Sequence, residues 1–227
     1  MRHIELRTSS SANGLKITLV NIHPVSFDFM PKERSIWSNC VAFDTPETIK
    51  IIASSGSGKS SLLSFLSGLR GDYAGEILYN GANTRDFTSA QWGSLRSTVI
   101  SMVYQDLRLF RKLTARQNIQ LSQEISDSMV DSVTLDDMAE KLAIREHLDK
   151  EAGKLSFGQM QRVAILRAIT RNFKWLILDE PFSHLDKENA SAAWDLILKQ
   201  AQLRHAGIIV ACLDPYDFIN ADRIYQL

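Results

Sequence analysis

The sequence lacks a net charge: 26 Lys and Arg stand against 26 Asp and Glu in 227 residues. A balanced chain has no long-range field to draw in nucleic acid or an anionic membrane surface. No nucleic-acid partner is therefore expected, and an anion must be held by a local, preorganised site. Long apolar runs are missing too. The longest, such as Trp175–Leu178 and Gly207–Cys212, fall far short of the roughly 20 residues that span a bilayer. The segment Met1–Arg7 alternates charged with apolar residues and lacks the apolar run of a secretory leader, so a cytoplasmic location is expected. Cysteine is scarce. Cys40 and Cys212 lie far apart with no metal-ligand spacing, which suits a reducing compartment and predicts two buried free thiols. No internal repeat is visible, and the only low-complexity patch is Thr8–Ser11.

What is present is a globular composition, with 44% hydrophobic residues, and a length that one α/β domain can fill. Leu15, Ile17 and Leu19, then Val25, Phe27 and Phe29, alternate with other residues over 15–30, the period of a half-buried antiparallel strand. Glu76–Tyr79 is a second such strand, leaving at the turn pair Asn80-Gly81. Ile49–Ala53, Val99–Val103, Trp175–Leu178 and Ile208–Ala211 are nearly continuous apolar runs, interrupted only by Lys50 and Ser101. Strands buried on both faces of a parallel sheet read this way. Helical spacing covers Ser60–Leu69, Gln159–Thr170 and Ala190–Arg204, and Leu135–Leu148 reads as an amphipathic helix within a strand-free stretch from Gln105 to Leu155. The expected fold class is α/β, one domain over 1–227, with a β-rich layer within about 1–90 and a helical insertion at about 106–155 in a doubly wound core.

Three motifs carry chemistry. Ala53-Ser54-Ser55-Gly56-Ser57-Gly58-Lys59-Ser60 follows a buried strand and opens a helix. Small residues there let backbone N–H groups approach phosphate oxygens, the helix end adds positive potential, Lys59 adds a point charge and the Ser60 hydroxyl is a Mg²⁺ ligand. Ala53 stands where the strict pattern has glycine. A Gly/Ser turn is the plainer reading. Trp175–Pro181 ends a buried strand in Asp179 and Glu180, which places acid at the strand end where ligands bind in such sheets. Asp179 is then a metal-side carboxylate and Glu180 a polariser of attacking water, against the plainer reading of an acidic turn. Leu155-Ser156-Phe157-Gly158-Gln159-Met160-Gln161-Arg162 reads by itself as a helix start capped by Ser156.

Together these stretches resemble the ATP-binding cassette family, whose signature Leu-Ser-Gly-Gly-Gln matches at Leu155, Ser156, Gly158 and Gln159 but not at Phe157. The resemblance runs from about Phe27 to Ile224. It implies a P-loop NTPase core and ATP with Mg²⁺ as ligands. Ser54, Ser55, Gly56, Ser57, Gly58, Lys59, Ser60 and Ser61 would hold nucleotide, and Ser60, Gln105 and Asp179 the metal, with Glu180, Gln105 and Lys59 catalytic. Ser156, Gly158 and Gln159 would act on the ATP of a second cassette, expected to be a copy of this chain, the D-loop Ser183–Asp186 would add Asp186, and Phe29 would stack on adenine unless it is a core aromatic. The stretch Gln105–Ile119 looks most like the lipoprotein-releasing, macrolide-export and cell-division group.

The family's switch histidine is absent. Val210–Pro215 places Leu213 there, and His184 stands where the D-loop usually has alanine. Leucine cannot donate a hydrogen bond to a γ-phosphate. The sequence is thus read as the ATP-binding subunit of a transporter that works with a separately encoded membrane permease, held peripherally at the inner face of the membrane. The alternative is an ATP-dependent dimerising regulator with weak hydrolysis. A soluble cassette acting on ribosomes or DNA is disfavoured by the neutral charge.

Overall fold

Strands buried on both faces organise the molecule. The computed structural model describes residues 14–25, 35–37, 39–54, 56–128, 130–213 and 216–227. A five-stranded parallel sheet runs in the order β6 (Ile100–Val103), β7 (Trp175–Asp179), β8 (Gly207–Cys212), β3 (Thr48–Ile52), β9 (Arg223–Gln226). Side chains on a strand alternate between faces. In β7, Leu176 and Leu178 join the core on one face, and Trp175 and Ile177 the core on the other; Ile208 and Val210 oppose Ile209 and Ala211 in β8. That two-sided burial explains the unbroken apolar runs. The two polar interruptions are satisfied: Lys50 Nζ donates to Tyr216 O at 3.0 Å and Ser101 Oγ to Ala168 O at 2.8 Å.

The second sheet is antiparallel, ordered β2 (Cys40–Asp44), β1 (Lys16–Pro24), β4 (Tyr73–Tyr79), β5 (Ala82–Asn83). It packs with α1 (Lys59–Leu66) over one face of the parallel sheet. The expected strand over 15–30 ends at Pro24 among the described residues. A register shift between Val20 and His23, with Asn21 at φ 50°, turns Ile22 and Pro24 inward and leaves Val25 exposed. Asn80 and Gly81 both take positive φ, as a type I′ hairpin demands. Cys40 corrects the thiol expectation: it begins an edge strand and is exposed, whereas Cys212 is buried.

The other face carries α3 (Ala115–Ile125), α4 (Ser132–Lys141), α5 (Phe157–Ile169) and α6 (Lys187–Arg204), while α2 (Ser89–Thr98) leads into β6. Among the described residues no strand lies between β6 and β7, as expected of the helical insertion. The helix expected over Leu135–Leu148 is broken. Its chain turns at Ala143, φ 50°, into a short 3-10 turn at Arg145–His147. The helix expected over Ser60–Leu69 stops at Leu66, so Leu69 is exposed. Among the described residues no helix is long and apolar enough to cross a membrane.

Candidate functional site

The loop from β3 to α1 is held by its own backbone. Ala53 is buried and its N–H donates to Cys212 O at 3.3 Å, so it simply extends β3 towards β8. An extended residue needs no glycine, which accounts for the alanine there. Ser57 donates to Ser54 O from both its N–H (3.3 Å) and its Oγ (2.8 Å). Gly58 then enters α1 at φ 97°, with a prospective Cβ only 3.1 Å from the buried Trp37 ring, so both conformation and space require glycine. As N-cap it offers no side chain. Among the described α-helices the other five are capped by Thr88, Thr114, Asp131, Ser156 and Asp186. Only α1 presents its first amides to an incoming anion, at the positive end of the helix dipole.

Lys59 sits at that entrance, buried. Its ammonium donates to Ala53 O at 2.9 Å and Ser54 O at 3.1 Å, and pairs with Glu180 Oε1 at 3.3 Å. Three donors meet three acceptors. Glu180 reaches it because the chain turns left-handed at the end of β7, φ 47°, with its N–H tied to Ala211 O at 2.9 Å. That conformation costs a side-chain-bearing residue about 1 kcal/mol, offset here by the ion pair and backbone bond.

Asp179 is the last residue of β7 and 4% exposed. Burial pushes its carboxyl above the usual carboxylate range, as does the Glu180 charge, while the Ser60 hydroxyl and Lys59 pull the other way. Its Oδ1 is buried without a hydrogen-bond partner. An orphaned carboxylate oxygen beside a serine hydroxyl fits a hard cation that prefers oxygen ligands. No group of three His, Cys, Asp or Glu gathers among the described residues, and Mg²⁺ does not require one when phosphates and water complete its shell. Gly56, Gly58, Lys59, Ser60, Ser61, Gln105 and Glu180 line one open pocket of about 280 Å³. Ser61 Oγ accepts from Arg70 Nη1 at 2.9 Å.

Ser156, Gly158, Gln159 and Asp186 do not line that pocket. Ser156 and Gln159 form a reciprocal capping box: Gln159 N–H donates to Ser156 Oγ (3.3 Å) and Ser156 N–H to Gln159 Oε1 (2.9 Å). Asp186 caps α6 by accepting from Asn189 N–H at 2.8 Å, which holds its carboxyl below the usual range. A Cβ on Gly158 would lie 2.9 Å from His184 O, and the Phe157 and His184 rings meet edge to face at 4.2 Å. Two of the departures from the family pattern, Phe157 and His184, thus touch each other. Leu213 follows β8 and is 45% exposed. His205 ends α6 just before β8 begins, so it sits at the opposite strand end from Leu213. Ser55 and Phe29 lie outside the described residues.

Sequence reasoning passed over Gln161. Its side chain is 1% exposed, with Nε2 donating to Glu180 O at 3.1 Å and Oε1 accepting from His184 N–H at 3.1 Å. The signal was legible: Gln161 lies in one helical stripe with Ala164, Ile165 and Ala168, which are all buried.

The family described as ABC transporter matches residues 41–183. An uncharacterized ABC transporter ATP-binding protein of Mycobacterium tuberculosis is 31% identical over 187 residues, covering 82% of this chain and 75% of the relative. The lipoprotein-releasing system ATP-binding protein LolD of Xanthomonas oryzae is 29% identical over 185 residues, 81% of this chain and 76% of that one. A bacterial ABC transporter cassette solved as a dimer superposes with a TM-score of 0.77 at 25% identity, covering 93% and 94% of the two chains. The same cassette is also known in a post-hydrolysis state with ADP and Pi, at a TM-score of 0.75. The matched residues run from the antiparallel sheet through the phosphate loop and the Ser156 helix to the turn after Glu180, and the chain belongs to the ABC transporter family.

Proposed function

We propose that this chain binds and hydrolyses ATP as the cassette subunit of a transporter, driving a separately encoded membrane permease. The observation that carries the reading is the uncapped start of α1 with Lys59 and Glu180 paired across it. Amides at residues 56–61 receive the β- and γ-phosphates, and Lys59 exchanges its carbonyl and carboxylate partners for phosphate oxygens. Ser60, Gln105 and Asp179 would hold Mg²⁺, which supplies neutralisation of the phosphate charge when bound. Released from Lys59, Glu180 polarises the attacking water. Phe29 is the proposed adenine stack.

A second copy of the chain would bring Ser156, Gly158, Gln159 and Asp186 to that ATP. Support comes from the cap geometry, which leaves the α5 N-terminus at the surface, and from the dimeric state of the related cassette. Bridging nucleotide then favours the closed pair by its differential affinity. The groove beside Gln105, lined by Arg96, Arg108, Phe110, Leu121, Ile125 and Arg171, is the proposed permease contact. Likeness to LolD favours a lipoprotein-release or export type.

Leu213 supports a second reading, a nucleotide-driven dimerising regulator with weak turnover. The deciding assay measures Mg²⁺-dependent ATP turnover of the wild type and Glu180→Gln, alone and with the permease. Loss of a general base of this kind costs about a thousandfold. Wild-type turnover that Glu180→Gln abolishes rejects the regulator; equal rates for the two reject the ATPase.

A further inference from the structure

The start of α5 grips the turn after β7 at one residue. The Phe157 ring packs against the His184 ring, Gly158 lets His184 O approach its backbone, and Gln161 Oε1 accepts from His184 N–H. The same Gln161 amide reaches the other end of the turn, donating to Glu180 O at 3.1 Å and to Ser183 Oγ at 3.4 Å. Ser183 Oγ in turn donates to Glu180 O at 3.2 Å. The amide orientation is forced, because Glu180 O only accepts and His184 N–H only donates. At 1% exposure no water replaces either partner.

We propose that Gln161 is a positioning residue for Glu180. With Phe157 and Gly158 it clasps the 180–184 turn, so that the start of α5 and the catalytic carboxylate move as one unit. This rests on the ATPase reading above. A displacement of the Ser156 turn by a bound partner is then carried to the backbone of Glu180 through a single buried amide. The left-handed Glu180 backbone has two ties beyond its own turn, the Ala211 bond to its N–H and the Gln161 bond to its carbonyl. Removing the second frees the carboxylate to swing without altering the phosphate loop.

The test uses two near-isosteric variants of the full chain, Gln161→Met and Gln161→Glu. Methionine fills the volume and makes neither bond. A protonated carboxyl makes both, whereas an ionised one sets oxygen against Glu180 O; burial raises the introduced group into the assayed range. For Gln161→Met, kcat is expected to fall about tenfold with KM within about twofold, the effect of losing the one bond that reaches Glu180 O. For Gln161→Glu, the rate relative to wild type at the same pH is expected to recover as pH falls from about 8.5 to about 6. Normalising to wild type removes the pH dependence that the two proteins share. Wild-type kcat in Gln161→Met overturns the proposal, as does the same pH-independent ratio in both variants. If the wild type itself shows no turnover, the ATPase reading fails separately. Hydrogen exchange at the 183–185 amides, referred to wild type at the same pH, then decides the clasp: lower protection in Gln161→Met, with protection in Gln161→Glu returning towards wild type as pH falls, upholds it, and wild-type protection in Gln161→Met overturns it.

Discussion

The two ends of the proposed ATP site are built on opposite plans. At the phosphate loop a ligand finds groups without an outside partner: α1 has no side-chain cap, Asp179 Oδ1 is buried and orphaned, and the buried Lys59 ammonium is paired only within the site, to two loop carbonyls and Glu180. At the start of α5 the groups lie at or near the surface and are already satisfied, with Ser156 and Gln159 capping one another and the Asp186 carboxylate capping α6. An orphaned buried group gains the full value of a new partner, whereas a satisfied exposed one gains only the difference between two partners. The phosphate loop is thus suited to capture a ligand alone. The α5 end is suited to join a ligand already held, which is what closure of two chains requires.

The sharpest way to break this comparison is Lys59→Met. Two charge-assisted bonds to phosphate are lost, so ATP affinity of the single chain should fall about 150-fold, as read by equilibrium binding. An affinity within a few fold of wild type would mean that the phosphate loop does not dominate capture. Leu213→His comes next: a restored donor near the γ-phosphate should raise turnover about a hundredfold, by analogy with other preorganised donors. An unchanged rate would place the limit elsewhere.

Asp179→Asn sharpens the contrast from the stability side. A carboxyl raised in the folded state contributes stability that is complete below its unfolded value and is lost as pH rises through its folded value. Removing that charge should therefore raise the melting temperature of the nucleotide-free protein at pH 7 by about 2 °C or more. The gain should vanish as pH falls to the unfolded carboxylate value near 4, and calorimetry across that range checks it. Smallest is Ser156→Ala. It removes a helix cap worth about 1 kcal/mol of stability, yet single-chain ATP affinity should stay within about twofold if the α5 end does not capture nucleotide alone.

Legibility in the sequence followed burial. Four of the five parallel strands were plain because both faces are covered and nearly every residue is apolar. The elements β2, β5, β9 and α2 were not. In α2 only Leu95 is buried, and β9 is an edge strand whose residues are half-buried or exposed, so neither carries a period. The bulge at Asn21 and the turn at Ala143 also escaped, since alanine carries no preference for positive φ and a single asparagine, which tolerates it, does not by itself mark a bulge.

The phosphate loop, the acidic strand end and the signature helix could be found without a structure, because each is a contiguous run whose chemistry is local to backbone and side chain. Their mutual geometry could not. That Lys59 meets Glu180, that Asp179 keeps one oxygen unpaired and that Gln161 holds the backbone of Glu180 depend on residues 19 to 121 positions apart in the chain. Such contacts arise only when β7 and β3 enter one sheet with β8 between them and α5 packs against its face, since burial, not sequence distance, decides which polar groups must find each other.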